Sequence, residues 1–418
     1  MEEFSSELIL QRSSSLLIPK RIGFGYLPVD ILVKIFQYFN EDELLNNIIR
    51  VCQQWRVAAE DPSLWSTLKF QGRTIDTHLI CNKIWQFRNV NNIIIKTILD
   101  PVVVLRQICR RCEDLTSLVL RNCPQISEDV LRYLLVSCKR LRVLDLKGTP
   151  FQALILFEEL PHCQALRSIN LGGNPYLNLK NVQTLAMNCQ YLTGFHLGSF
   201  QPKDNVHLND CSCYFILTKL VHNLTHLTLD CSTLSACTFA SILRCKHLEY
   251  LCLNYAYNFR GCDFQGMWKT LISLKVLKIR NGHLISEINC SRLFMDGQDA
   301  MKNLEVIDFT GCGKIANGSI LAISKCCKNI KGLIVKSCRH ISTIDSLVEN
   351  CPELEMLNIG FCVNIKFDAI PHCLKKLFIS DTVKHRNFAR RVMEQNKDCK
   401  VRVCLNEFNK DTKIFVYE

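Results

Sequence analysis

Leu115-Thr116-Ser117-Leu118-Val119-Leu120-Arg121-Asn122-Cys123-Pro124-Gln125-Ile126-Ser127-Glu128-Asp129-Val130-Leu131 changes period part-way along. Leu118 and Leu120 alternate with their neighbours, as in a strand with one buried face. Ser127 is then placed to cap a helix, with Glu128 and Asp129 in the first turn, where the helix dipole favours acids. Leu131, Leu134 and Leu135 follow at helical spacing and are expected to face the strand layer. A strand and a helix this short cannot bury their apolar sides alone, so the unit requires neighbours of its own kind.

The sequence supplies them. The spacing Leu-x-x-Leu-x-Leu recurs from Val90/Ile93/Ile95 through Leu141/Leu144/Leu146, Leu192/Phe195/Leu197, Leu248/Leu251/Leu253 and Leu304/Ile307/Phe309 to Leu374/Leu377/Ile379. Twelve copies lie mostly 24 to 26 residues apart, with the spacing stretched to 32 and 30 by insertions within 198–222 and 283–303. Inserted length in a solenoid emerges at one edge, often the binding edge. Cysteines keep step with the copies: Cys112, Cys138, Cys163, Cys189, Cys245, Cys327 and Cys351 lie three residues before the first leucine, and Cys123, Cys312, Cys338 and Cys362 eight after it. Free cysteine behaves as a small apolar residue, so these are expected to be buried slots. The pattern resembles the cysteine-containing class of leucine-rich repeats, over about residues 90 to 382. The resemblance implies an α/β solenoid, a horseshoe with a parallel sheet on its inner wall and helices outside. In one later copy Ser342 and Asp345 have the spacing of a capping box.

Residues 24–68 carry a different signature. Leu27-Pro28-Val29-Asp30-Ile31-Leu32 suits a helix start, with proline in the first turn and Ile31, Leu32, Ile35, Phe36 and Phe39 forming an apolar stripe. A second helix is expected from Glu41 through Leu44, Ile48, Val51 and Cys52 to Trp55, with Asn46 and Asn47 on its wet side. A short third one starts at Asp61-Pro62-Ser63-Leu64-Trp65. So small a stretch cannot bury this many large apolar side chains internally, so it is expected to dock on something else. Leu27-Pro28, Asp30-Ile31-Leu32, Ile35-Phe36, Val51-Cys52, Trp55 and Asp61-Pro62 with Leu64-Trp65 together resemble an F-box. That resemblance implies a small all-α domain that binds a Skp-family adaptor and, through it, a cullin scaffold. It makes Leu27, Pro28, Ile31, Leu32, Ile35, Phe36, Val51, Cys52, Trp55, Leu64 and Trp65 the candidate adaptor-binding residues, facing the adaptor or forming the module. Phe36 and Trp55 in particular are expected outside the chain's own core.

The organisation that follows is an N-terminal arm at 1–22, the F-box at 23–68, an entry to the array at 69–110, repeats at 111–382 and a C-terminal cap at 383–418. In the cap a helix from Phe388 to Gln395 precedes a strand at Val401, Val403 and Leu405.

Composition agrees with a folded chain: 48% hydrophobic, 22% charged, with only 17 glycines and 11 prolines. Apolar runs fall far short of the roughly 18 residues a membrane span needs, and Glu2, Glu3 and Glu7 replace the basic start of an export signal. Twenty-five cysteines, an odd number in a chain without such a signal, fit reduced thiols in cytoplasm or nucleus. Net charge is +12, but the basic residues are scattered, which speaks against nucleic acid. No cofactor motif and no metal-ligand set appears: Cys109-Arg110-Arg111-Cys112 is a lone pair, where a zinc site needs a second. No catalytic motif appears either, so the expected role is non-catalytic.

The resemblance therefore implies a substrate-recognition subunit of an SCF-type ubiquitin ligase, holding a target protein on the repeats. The alternative is a scaffold or inhibitor whose F-box does not lead to ubiquitination. Side chains flanking the strand leucines face the inner wall, and aromatics beside arginine are common interface anchors. His196, Phe200, Tyr250, Tyr255, Tyr257, Lys278 and Arg280 are accordingly the candidate substrate-binding residues, with Phe259 on the same aromatic edge. Alanine at Tyr255 or Arg280 is expected to cut capture without unfolding the chain.

Overall fold

The computed structural model describes residues 27–39, 43–44, 47–72, 75–87, 89–152, 157, 164–198, 208–296 and 300–404. They divide into two compact units, Met1–Ser66 and Thr67–Glu418.

In the first unit, helix α1 (Val29–Phe36) follows Pro28, whose missing N–H costs nothing at a helix start. Leu32, Val33 and Phe36 form its buried face. The expected long second helix is broken. A single 3-10 turn covers Ile48–Arg50, and α2 begins only at Gln53, running to Ala59. Cys52 is extended between them (φ −162°), and its Sγ accepts the Trp55 backbone N–H. Gln54 Nε2 donates to the Leu27 carbonyl (2.8 Å) and Arg56 Nε to that of Ile49 (3.3 Å), tying the pieces together. Asp61 caps the Pro62–Leu64 turn, and Trp65 Nε1 donates to the Ala59 carbonyl at 2.7 Å. Asn47 is exposed, as expected; Asn46 lies outside the described residues.

The second unit is a parallel sheet of fourteen strands among the described residues, hydrogen-bonded in chain order. They are β1 (Thr67–Gln71), β2 (Asn92–Lys96), β3 (Ser117–Arg121), β4 (Val143–Asp145), β5 (Ser168–Asn170), β6 (Gly194–His196) and β7 (His226–Asp230). Then come β8 (Tyr250–Asn254), β9 (Val276–Ile279), β10 (Val306–Asp308), β11 (Gly332–Ile334), β12 (Met356–Asn358), β13 (Lys376–Ser380) and β14 (Lys400–Cys404). All twelve expected copies supply a strand, and register follows the repeat, so Leu118 pairs with Leu144, Leu227 with Leu251 and Leu333 with Leu357.

The sheet runs one strand further at each end than the copies do. β1 straddles the boundary read between the F-box and the entry, and its Leu68 and Phe70 pair with Ile93 and Ile95 of the first copy. β14 extends the sheet from within the cap, after a helix at Val383–Gln395. Leu405 lies outside the described residues.

Strand leucines and helix side chains meet between the layers. Leu118, Leu120, Leu131, Leu134 and Leu135 are all buried, and each such side chain removed from water contributes about 1.5–3 kcal/mol. The cysteine slots are buried as expected where described; Cys163 lies outside the described residues. The thiols also donate. Cys312 Sγ lies 3.2 Å from the Ile279 carbonyl, Cys338 Sγ 3.2 Å from that of Phe309 and Cys362 Sγ 3.0 Å from that of Val335, each reaching back to the preceding copy.

Just past nine of the strands, β2 to β5 and β8 to β12, the chain turns through a left-handed residue. Thr97, Asn122, Gly148, Gly173, Asn281, Gly311 and Ser337 fill that place at φ between 52° and 77°, and two bulky aromatics, Tyr255 (51°) and Phe361 (63°), share it. Helix starts vary more. Ser127 precedes its helix but makes no side-chain cap bond. The Ser342–Asp345 box does not form, because the Ser342 N–H donates to Asn317 Oδ1 of the previous copy (2.8 Å) and Thr343 caps Asp345 instead. A reciprocal box joins Asn178 and Asn181.

Candidate functional site

The eleven F-box candidates separate by burial. Leu32, Phe36 and Trp65 are 0–1% exposed. Phe36 meets Trp55 edge-on at 5.2 Å and Phe39 at 6.3 Å. These three form the module's interior and cannot touch an adaptor, a correction to the expectation for Phe36 above all. Residues 32 and 36 lie one helical turn apart and share the inward face, which leaves Ile31 off it. Pro28, Ile31, Val51 and Cys52 are exposed; Leu27, Ile35, Trp55 and Leu64 are half-buried. Val57 is also exposed, and the sequence reading passed over it.

In the repeat unit the outward positions of β2 to β9 surround a concavity of about 450 Å³. Lys96, Arg121 and Lys147 line it from one flank, and Tyr250, Asn254 and Arg280 from the other, with Asp145, Asn170, His196, Gly198, Thr228 and Cys252 between. His196, Tyr250 and Arg280 of the candidate set are thus together. Lys278 joins them by standing over the Tyr250 ring, 5.0 Å from its centroid. His196 meets the same ring edge-on (6.4 Å) and bonds Thr228 Oγ1 through Nδ1 (2.8 Å).

Tyr255 and Tyr257 are not among the lining residues. They pack on each other at the strand exit (5.9 Å), and Tyr257 stacks flat on His283 (5.2 Å). Phe259 is fully buried against Phe239 and Phe264, so it is no edge residue. Phe200 lies outside the described residues.

The site reaches further toward the N-terminus than the candidate set did. Lys96, Arg121 and Lys147 are wall positions by their spacing, but nothing in sequence says which copies close around a hollow. Long-range pairing also escapes a sequence reading. Both Arg121 Nε and Nη2 donate to Asp145 Oδ2 (3.0 and 2.5 Å), and Asn170 Nδ2 joins the same oxygen at 3.2 Å. Arg280 binds Asp308 likewise (2.8 and 2.5 Å), and that carboxylate's side chain is 0% exposed. Alanine at Arg280 would strand a buried charge, a loss of about 3–5 kcal/mol. It is therefore a folding mutation, contrary to the sequence-based expectation.

Burial shapes the charges. It lowers the Lys147 amine to about 8, helped by the like charges of Arg121 and Arg280. His196 is pushed down to about 4, chiefly by burial, so its ring is neutral at physiological pH. Burial also lowers Lys278 and raises the Tyr250 hydroxyl and the Cys252 thiol. The Arg121 guanidinium is held charged by its bond to Asp145.

Comparison with known proteins bears on both units. The F-box-like family model matches residues 24–71. The putative F-box/LRR-repeat protein 22 of Arabidopsis thaliana is 26% identical over 247 residues, 57% of this chain and 71% of its own length. F-box protein SKIP1 of the same plant is 23% identical over 279 residues, 61% of this chain and 86% of its own. Among solved structures, a chain from the complex of Rad7 and Elc1 in yeast superposes with a TM-score of 0.58 at 15% identity, covering 87% of this chain and 90% of that one. The chain thus joins an F-box-like segment at its N-terminus to a stacked parallel sheet of leucine-rich copies, and it is similar to F-box/leucine-rich-repeat proteins.

Proposed function

We propose that this chain is the substrate-recognition subunit of an SCF-type ubiquitin ligase, acting in cytoplasm or nucleus. Its F-box docks a Skp-family adaptor, the adaptor brings the cullin scaffold, and the repeat array holds the target protein. The observation that carries this reading is that the matched F-box segment keeps Ile31, Val51 and Val57 40%, 58% and 53% exposed. Covering such a side chain is worth about 1.5–3 kcal/mol, which an apolar partner surface recovers. The chain's own contribution to ubiquitin transfer is non-catalytic. It holds target and charged enzyme on one assembly, and proximity lowers the barrier.

Reconstitution tests this. The purified chain should retain a Skp-type adaptor, and adding cullin and charged enzyme should modify a captured target. Leu27→Ala/Pro28→Ala and Val51→Asp should each abolish both. Adaptor retention without any ubiquitin transfer would leave the chain a scaffold or inhibitor.

A further inference from the structure

Gly172 and Gly198 stand at the exits of β5 and β6, and Gly198 is among the residues that line the concavity. A Cβ on Gly172 would sit 2.0 Å from the Gly198 carbonyl oxygen. One on Gly198 would meet Asn254 Nδ2 and Thr228 Cγ2, each at 2.5 Å. Both glycines are buried, so neighbouring atoms close over them and a larger residue at either place would displace one of them.

Charge converges on the concavity from both sides. Lys96, Arg121 and Lys147 stand on one flank, Lys278 and Arg280 on the other. These five cations face three carboxylates in the neighbouring wall positions, Asp145, Asp230 and Asp308. Lys147 follows β4 and Arg280 follows β9, yet both line the same hollow, so the two flanks share it. Both arginines spend two N–H groups on a single carboxylate oxygen, which fixes their planes. Fixed guanidinium groups and ammonium groups on both sides of one hollow suit an oxyanion on a polypeptide.

We infer that the concavity takes an acidic segment of the client, presenting about two negative charges between the cationic flanks, from adjacent Asp/Glu carboxylates or from one phosphorylated side chain. The inference rests on the substrate-receptor reading above and specifies what that receptor selects.

The test uses the full chain co-purified with its adaptor and three fluorescent peptide pools, with random flanks around a fixed Glu-Glu, phosphoserine or Gln-Gln centre. Anisotropy should show at least one anionic pool binding about tenfold tighter than the Gln-Gln pool; which one binds identifies the source of the charge. Lys147→Gln should remove the preference. So should Lys96→Gln, on the same flank. Lys278→Gln serves if either variant melts early.

Equal binding of all pools overturns the inference, as does an anionic preference unchanged in every variant. Duplex DNA displacing the peptides at equal charge also overturns it, because the surface would then be a nucleic-acid site. Adaptor retention and target modification without any anionic preference would sink the substrate class alone. Anionic preference in a chain that never retains the adaptor would sink the receptor reading alone.

Discussion

Tyr255 stands at φ 51°, a backbone state that costs an L-residue about 1–2 kcal/mol. Other copies fill the same turn with Asn122, Asn281, Gly148, Gly173 or Gly311, which enter it more readily. Tyr255→Asn should therefore raise stability by about 0.5–1 kcal/mol, read as a higher denaturant midpoint at unchanged slope. A lower midpoint would mean that the ring's packing on Tyr257 outweighs the backbone strain. Lys147 offers a test of charge at the same scale. Its amine titrates near 8 in the free protein, with burial the main cause, and Arg121, Asp145, Cys252 and Arg280 are the charged and titratable groups around it. A bound anion stabilises the protonated form and raises that value. Affinity for an acidic probe should then be constant from pH 6 to 7.5 and fall as pH climbs through 8 and above. His196, held near 4, adds no step between pH 5 and 7. A binding curve that weakens between pH 5.5 and 7 would point to a histidine instead.

At the scale of the element, two ladders join neighbouring copies, and their energies differ. On the strand-entry edge Glu249–Lys275, Glu305–Lys331 and Glu355–Lys375 alternate in sign along successive copies, at 2.7, 3.2 and 2.6 Å. They are well exposed, and such pairs contribute little. Inside, the cysteine thiols combine packing with a bond to the previous copy, and burial raises Cys112 and Cys351 to about 11 and Cys245 and Cys362 to about 12. Cys338→Ala should cost about 1–2 kcal/mol and Glu305→Ala under about 0.5, compared by urea denaturation. Iodoacetamide at pH 8 should mark the exposed Cys52, Cys211, Cys237, Cys262 and Cys373 before any buried thiol among the described residues. Much of this level was legible in the sequence, because a period near 25 is carried by every copy at once. Spacing placed the strands from β2 to β13 and the cysteine slots. What it missed depends on partners a full copy away. Asn317 takes the Ser342 N–H that a local capping box would have used, and Asp145 and Asp308 tether arginines 24 and 28 residues distant. The break at Cys52 was hidden because its neighbours keep an apolar stripe on both sides of it.

At the scale of the whole molecule, the chain is two compact units on one backbone, each with its own core and its own proposed partner. Leu32, Phe36 and Trp65 are interior, while Ile31 and Val51 are exposed in the first unit, and the cationic hollow lies wholly in the second. Damage to one partner surface should therefore leave the other intact. Val51→Asp should lose the adaptor yet keep anionic-peptide binding, and Lys147→Gln should do the reverse. Neither side chain is an interior apolar one, so both variants should unfold near the parent's midpoint. The sharper consequence concerns their mixture. If transfer depends on proximity, adaptor and client must be held by the same chain, since effective concentration is lost when the two sites ride on separate molecules. An equimolar mixture of Val51→Asp and Lys147→Gln chains, with adaptor, cullin and charged enzyme, should therefore modify no more target than either variant alone. Restored transfer in the mixture would show that two copies of the chain associate and share the work, and would replace the single-chain mechanism with a dimeric one.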